Sequence, residues 1–263
     1  MRLRSAGLPD TRIAGLGYTK PVTTLFISDL HLNGERPEIT AQFVTLLRGA
    51  ARRAEHLYIL GDLFEFWIGD DDPDPTYKQI QNELRELTRA GVTCSVMHGN
   101  RDFLLGRQFC ARTGCQLLRD GTTVEVYGQR VLLTHGDVLC TDDRAYQRLR
   151  RIVRNPVIQW LFKHLPLNRR ERIANRIRAG SRMHTQTSAP TIMDVNASAV
   201  ARAFDETHVP IMIHGHTHRP AIHRYPTGQG TNTRIVLGDW YTQGSMLEWS
   251  ASGYELVTLP RET

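Results

Sequence analysis

The chain has 263 residues, 40% of them apolar and 23% charged, and a net charge of +6, the profile of a globular protein with one large domain or a domain plus an insertion. That composition excludes collagen-like and low-complexity chains, and no segment approaches the roughly 20 apolar residues of a membrane-spanning helix. Four cysteines without a CxxC pair read as free thiols of a reducing cytoplasm rather than as a disulfide framework.

Residues 1–21 carry Arg2, Arg4 and Arg12 among Gly, Ser, Pro and Thr. They lack the apolar run of roughly 7–15 residues that a secretory signal needs, and read as a loose N-terminal extension to a domain over 22–263. Short apolar runs then recur, each ending abruptly in polar or glycine residues: Thr23–Ser28, His56–Leu60, Val92–Met97, Arg130–Thr134 and Pro210–Ile213. They are too short for independent helices and suit strands buried on both faces. Between the first three, Glu38–Ala54 and Thr76–Ala90 place Phe43, Leu46 and Leu47, and Ile80, Leu84 and Leu87, at helical spacing. Strand, helix, strand, helix, strand predicts an α/β fold. Further strands fall at Thr122–Tyr127, Arg234–Leu237, Ser245–Trp249 and Tyr254–Leu259. The last three have no helices between them and read as antiparallel additions to a second sheet.

Asp142 to about Glu206 interrupts the strand series with a helical insertion. Asn155-Pro156 is a helix start, with Asn as cap and Pro at the first helical position. Arg170–Ala179 and Val195–Phe204 read as further helices. Twelve of the chain's 33 basic residues lie between Arg144 and Arg182, opposed only by Glu171. They alternate with Ile152, Val157, Ile158, Trp160, Leu161 and Phe162. An amphipathic, basic lid above the sheet edge predicts an anionic partner.

The residues with chemistry stand at the strand ends. Asp29 and His31 follow the first run, Asp62 the second, Asn100 and Arg101 the third, His135 the fourth, and His216 and His218 the fifth. Ligands collect beyond the carboxyl ends of strands in open α/β sheets, so these side chains can converge although far apart in the chain. No single motif decides the matter; the ordered set does. Oxygen and imidazole donors without thiolate suit Mn, Fe, Co or Zn. Two such ions with two carboxylates leave positive charge for a phosphate, and a metal pair can activate water and clamp phosphoryl oxygens. Arg101 could add a bidentate contact to the developing charge. Asp70, Asp71 and Asp72 read as an acidic turn, His98 and His214 as structural, Trp67 and Trp240 as packing residues.

The motifs DLHL, GDLFEFW, GNRDF, THGD and HGHTH resemble those of the calcineurin-like metallophosphoesterases across nearly the whole chain. The resemblance implies an αββα sandwich of two mixed β-sheets flanked by helices, with two metals at the sheet edges. It implies Asp29, His31, Asp62 and His218 on one metal, and Asp62, Asn100, His135 and His216 on the other, with Asp62 bridging. Many members carry His where this chain has Arg101, so a histidine acid for the leaving group is missing here.

The longer stretches FEFWIGDD, GNRDFLLG, THGDVLCTDDRAYQRLRRIVRNP, IMDVN, HGHTHRP and LGDWY resemble the subfamily that cleaves the pyrophosphate of UDP-2,3-diacylglucosamine in lipid A biosynthesis. That resemblance implies two divalent cations, usually Mn²⁺, a lipid-linked nucleotide substrate, and a peripheral position on the cytoplasmic face of the anionic bacterial inner membrane. It implies neither a nucleic acid nor a protein partner. Asn100, Arg101, Asp143, Ser181 and His216 would contact the polar head. Two more contacts would fall at Thr185 and Ser188, where the subfamily has Asn and Lys and this chain departs. At the level of residues two alternatives stay open: a phosphodiesterase or phosphatase acting on a soluble substrate, and a non-catalytic scaffold or basic nucleic-acid binder.

Overall fold

The computed structural model describes residues 23–187, 194–228 and 230–260; the expected N-terminal extension lies outside them. A first sheet is built from β1 (Thr23–Ile27), β2 (His56–Leu60), β3 (Thr93–Met97) and β4 (Gln116–Leu118), all parallel. The crossovers are α1 (Pro37–Arg48), α2 (Pro75–Arg89) and a short α3 (Arg107–Thr113). A second sheet follows the order β5 (Thr122–Val126), β6 (Gln129–Leu133), β7 (Ile211–His214), β9 (Gly230–Val236), β8 (Ala221–Thr227). Strands β6, β7 and β9 are parallel, with antiparallel neighbours at both edges.

Both faces of the central strands are covered, which is why they read as unbroken apolar runs. Alternate residues take opposite sides. Leu25, Ile27, Leu57 and Ile59 face α1 and α2; Phe26, Tyr58 and Leu60 meet Val131, Leu133, Ile211 and Ile213 of the second sheet. Leu132 and Met212 point the other way, onto Val200 and Phe204 of α7 (Ala197–Thr207). The layers are therefore helix, sheet, sheet, helix.

Local signals set the helix ends. Asp74 caps α2 by accepting from Thr76 N, with Pro75 at the first position. Helix α1 stops at Arg48 because Gly49 follows, and a 3₁₀ turn at Ala51–Arg53 occupies the rest of the expected helix. Between β6 and β7 the chain inserts α4 (Arg144–Val153), α5 (Pro156–Lys163), α6 (Leu167–Thr187) and α7. Asn155 caps α5 through Val157 N and Ile158 N, and Asn196 caps α7 through Ser198 N and Ala199 N. No helix among the described residues is long and apolar enough to cross a membrane, and the four cysteines are free.

The expectation for the last strands needs correction. Strand β9 runs parallel to β7 inside the second sheet, while β10 (Gly244–Ser250) and β11 (Gly253–Leu259) form a hairpin on the first sheet, β10 pairing antiparallel with β1. The absence of helices correctly implied an antiparallel hairpin but not which sheet receives it. The loop after β9 crosses over: Trp240 N donates to Asp29 O at 3.2 Å, and Trp240 is buried against Phe43 of α1. That crossing brings residues 238–241 to the candidate site.

Candidate metal centre

Five of the residues expected as ligands, Asp29, His31, Asp62, His216 and His218, have positive φ, between 51° and 68°, and among the other described non-glycine residues only Tyr127 (46°) and His208 (51°) have positive φ. Such conformations cost about 1 kcal/mol or more each and persist where surrounding structure enforces them. Here the loops enforce one another. Asp29 N donates to Gly61 O at 3.1 Å, His31 N to Asp62 O at 3.0 Å, and Gly215 N to His135 O at 2.9 Å. Each carboxylate is pinned through one oxygen to the next loop: Asp29 Oδ2 accepts from His216 N at 2.8 Å and from Ser28 Oγ at 2.6 Å, and Asp62 Oδ1 accepts from Arg101 N at 2.8 Å. Two glycines allow this approach. A Cβ on Gly99 would lie 2.0 Å from Asp62 Oδ1, and one on Gly215 would lie 2.2 Å from Asp29 Oδ2.

The side chains converge in two overlapping groups, Asp29, His31, His218 and Asp29, Asp62, His135, each with candidate ligand atoms within 4.8 Å of one another. His31 Nε2 lies 3.4 Å from His218 Nε2, which lies 3.4 Å from Asp29 Oδ1. Asp29 is common to both groups, and Asp62 of the second also approaches the first, Oδ2 3.8 Å from His31 Nε2 and Oδ1 3.8 Å from His135 Nε2. Asn100 Oδ1 lies 3.0 Å from His135 Nε2 and 2.9 Å from His216 Nδ1. Ligands on one cation at about 2.0–2.2 Å are themselves about 3.0–3.6 Å apart, so the donor set has the right dimensions.

Its unsatisfied atoms also fit a cation. Asp29 Oδ1 is fully buried and has no hydrogen bond. His135 Nδ1 donates to Leu60 O at 2.9 Å, so Nε2 is the ring atom that faces Asn100 Oδ1 at 3.0 Å: protonated it donates there, and deprotonated it offers its lone pair to a cation. The charges agree. Burial opposes ionisation of Asp29, but His218, His135 and His31 hold it well below the carboxylate range. Burial also disfavours charged His135 and His218. Asp62, Asp29 and Asp137 nevertheless push His135 up to about 9, and Asp239 with Asp29 pushes His218 up to about 10. His216, dominated by burial and then by His135, falls to about 4. Divalent cations belong where anions so strongly favour positive charge.

Beside Asn100 and Arg101 opens a cavity of about 180 Å³. The core supplies Trp67, Phe103 and Leu104; the insertion supplies Val153, Phe162 and Ile177. Arg101 Nε is buried there without a hydrogen-bond partner. Asp143 caps α4 through Tyr146 N at 2.9 Å. Ser181 and Thr185 lie on α6; Ser188 lies outside the described residues.

Several basic residues of the insertion are engaged internally. Arg150 meets Asp137 at 2.6 Å and Asp120 at 3.1 Å, Arg154 donates to Gly99 O at 2.8 Å, and buried Arg170 donates to Ile68 O at 2.9 Å and Asp71 at 2.7 Å. Arg144, Arg148, Arg151, Lys163, Arg169, Arg172 and Arg176 remain exposed. The acidic turn is structural: Asp70 accepts from Trp67 Nε1, Gly106 N and Gln108 N. His98 and His214 contact backbone carbonyls, of Leu105 and Gly215 respectively, both at 2.8 Å.

Three carboxylates around the centre escaped the sequence reading. Asp102, fully buried, accepts from Gly99 N and Leu63 N at 2.8 Å each and ties the Asn100 loop to the Asp62 loop; burial and then Asp62 push it up to about 6. Glu65 Oε2 lies 3.1 Å from His31 Nδ1, and Asp239 Oδ2 3.2 Å from His218 Nδ1. One signal was available for Asp239. Gly238-Asp239 repeats the strand-Gly-Asp pattern of Gly61-Asp62.

Two mixed sheets edged by clustered Asp, Asn and His define a metallophosphoesterase, and the chain belongs to the calcineurin-like phosphoesterase family, whose model matches residues 22–220. Within it, the chain is 49% identical over 242 residues to the UDP-2,3-diacylglucosamine hydrolase of Vibrio parahaemolyticus, covering 92% of this chain and 100% of that one. It is 50% identical over 239 residues to the enzymes of the same name from Serratia proteamaculans and Escherichia coli, covering 91% of this chain and 100% of each relative.

Proposed function

We propose that this protein hydrolyses the pyrophosphate bond of UDP-2,3-diacylglucosamine by water attack at the α-phosphorus, giving UMP and 2,3-diacylglucosamine 1-phosphate in lipid A biosynthesis. One observation carries the reading beyond the family: the cavity that Asn100 and Arg101 line is otherwise walled mostly by apolar side chains of the core and the insertion, with Arg150, Arg154 and Gln159 among them. A soluble phosphodiester would leave those walls wet, whereas an acyl chain gains roughly 0.8 kcal/mol for each methylene buried there.

Asp29, His31, Asp62 and His218, and Asp62, Asn100, His135 and His216, would hold two divalent cations, most often Mn²⁺. What the pair supplies is a lowered pKa for water and positive charge against the phosphoryl oxygens. The chain's own residues do the rest. Asn100 and His216 would face the phosphate, and the guanidinium of Arg101, which lines the cavity, would donate to its oxygens as charge develops. Asp143, Ser181, Thr185 and Ser188 would hold the nucleotide and sugar. Arg101 in place of a histidine acid suits this bond, because the departing sugar phosphate has a second pKa near ~6 and leaves without a proton.

Ile152, Val157, Trp160 and Leu161 of α4 and α5 and the turn around them are each more than half exposed, with Arg148, Arg151 and Lys163 among them. An apolar patch rimmed by exposed cations favours a peripheral seat on an anionic surface, here the cytoplasmic face of the inner membrane. The test of substrate class is turnover by metal-stripped protein given Mn²⁺, with UDP-2,3-diacylglucosamine against UDP-GlcNAc. Mn²⁺-dependent UMP release confined to the diacylated substrate is expected. Equal turnover of both, or brisk hydrolysis of a simple phosphodiester alone, would overturn it.

A further inference from the structure

Two carboxylates outside the seven-residue set hold the imidazoles of the Asp29 group from behind. Glu65 and Asp239 each face an Nδ1, at 3.1 Å from His31 and 3.2 Å from His218, while the two Nε2 atoms face each other at 3.4 Å. A carboxylate at Nδ1 keeps the proton there, fixes the ring and makes Nε2 a better donor to a cation. His31 is also stacked on Tyr241, with ring centroids 5.1 Å apart.

The two supports differ in what stands behind them. Asp239 belongs to the loop after β9, and its Oδ1 accepts from Tyr241 N at 3.0 Å, a contact within that loop. Glu65 turns its other oxygen to Arg178, with Nε 3.1 Å from Oε1. Arg178 sits on α6, where the residue before it, Ile177, walls the cavity together with Ile173 and Ala174. The Glu65 side chain is 9% exposed and that of Arg178 20%, so solvent screens this pair incompletely. Arg178 also reaches Glu35 at 3.5 Å, but the Glu35 side chain is 75% exposed and such a pair adds little.

We propose that Glu65 is a positioning residue through which the seating of α6 sets the grip of His31 on a cation, so that insertion and metal centre form one linked equilibrium. With α6 seated, the carboxylate lies between Arg178 and His31, one oxygen within 3.1 Å of each. With α6 lifted it regains rotamer freedom, and the His31 ring loses its fixed support. By reciprocity, whatever the metal gains from a seated α6, α6 gains from the metal. The extension of this linkage to acyl-chain occupancy rests on the substrate reading above; the link between α6 and the metal does not.

The test titrates the metal-stripped full chain with Mn²⁺ alone, following free Mn²⁺ by electron paramagnetic resonance. Glu65→Gln is expected to weaken binding roughly 10–100-fold, and Arg178→Ala several-fold. The double variant binds no more weakly than Glu65→Gln alone, because the two act through one contact. Asp239→Asn weakens binding by itself, and its loss multiplies with that of Arg178→Ala. Hydrogen exchange in residues 167–180 slows on adding Mn²⁺ to the parent and does not slow in Glu65→Gln. Arg178→Lys keeps the charge and recovers most of the loss; no recovery would assign the effect to helix packing and overturn the proposal. Unchanged Mn²⁺ affinity in Arg178→Ala, or multiplying losses for Glu65 and Arg178, would overturn it as well. Substrate turnover does not enter, so failure of the substrate assignment leaves this outcome separate.

Discussion

Gly99→Ala is a one-methyl perturbation that should disable the metal centre. The added Cβ would fall 2.0 Å from Asp62 Oδ1, 2.3 Å from Asp62 N and 2.7 Å from Asp62 Cγ, where real Cβ contacts are essentially never under 3.0 Å. Rotation of the Asp62 side chain cannot relieve this, because one clashing atom is backbone. The Gly99 and Gly61–Asp62 loops must part by at least about 1 Å. They are also stitched together by Asp102 at Gly99 N and Leu63 N and by Arg101 N at Asp62 Oδ1. Overpacking of this kind costs about 1–3 kcal/mol, or roughly 2–12 °C in melting temperature for a chain of this size. A displacement of about 1 Å at a reacting centre costs roughly 10²-fold. Calorimetric melting, Mn²⁺ titration and kcat/KM of the variant read all three. Gly180→Ala serves as the control: nothing lies within 4 Å of its Cβ, it is on α6, and it should stabilise by about 0.5–1 kcal/mol with activity kept. Gly99→Ala with metal affinity and kcat/KM within twofold of the parent would refute the claim that this close approach positions Asp62.

Metal loading should be strongly pH-dependent. His135 and His218, held up to about 9 and about 10, carry protons at pH 7 in the metal-free chain and must lose them to become ligands, whereas His216, down at about 4, is already neutral. About two protons should be released, with the apparent association constant rising about 10²-fold per pH unit between pH 7 and 9. Titration calorimetry in buffers of different ionisation enthalpy counts the protons, and fewer than one would contradict the charge assignment. The linked stability has a definite sign. Both folded pKa values are raised, so these two groups stabilise the metal-free fold fully below about pH 6.5, and that contribution is lost as pH rises through 9–10. Arg101→Ala should lower kcat/KM roughly 10²–10³-fold while Mn²⁺ affinity stays within threefold; a parallel loss of affinity would make Arg101 a support of the centre instead. Trp160→Ser with Leu161→Ser removes about half of what each side chain gains on full burial, roughly 2 kcal/mol together, or roughly 30-fold in partitioning onto anionic vesicles. Unchanged co-sedimentation would place the membrane contact elsewhere or nowhere.

How much of this was legible in the sequence follows from what each signal depends on. Strands covered on both faces announce themselves as apolar runs, and a strand's carboxyl end is fixed once its direction is known, so Asp29, Asp62, Asn100, His135 and His216 could be brought to one edge before any coordinates. The helix start at Pro156 was written in Asn155; α2, expected from Thr76, starts one residue earlier at Pro75 with Asp74 as its cap. Strand β4 was missed because three residues carry no period, and β8 because its residues are largely exposed. The placement of β10 and β11 depends on one crossing loop, anchored by Trp240, whose path is a tertiary matter. The basic run looked like a uniform anionic footprint, yet Arg150, Arg154, Arg170 and Arg178 turn inward to Asp137, Gly99 O, Asp71 and Glu65. Charge counts along a sequence cannot separate such residues from Arg148 or Arg151 beside them. Glu65 and Asp239 stood inside quoted motifs, but their role appears only when His31 and His218 are seen from the Nδ1 side.

The most direct test of the account is hydrolysis of UDP-2,3-diacylglucosamine by Mn²⁺-reloaded protein in ¹⁸O-water, read by mass spectrometry of both products. One ¹⁸O atom in UMP and none in the lipid phosphate is the predicted result. Label in 2,3-diacylglucosamine 1-phosphate, or no metal-dependent cleavage of this substrate, would contradict it.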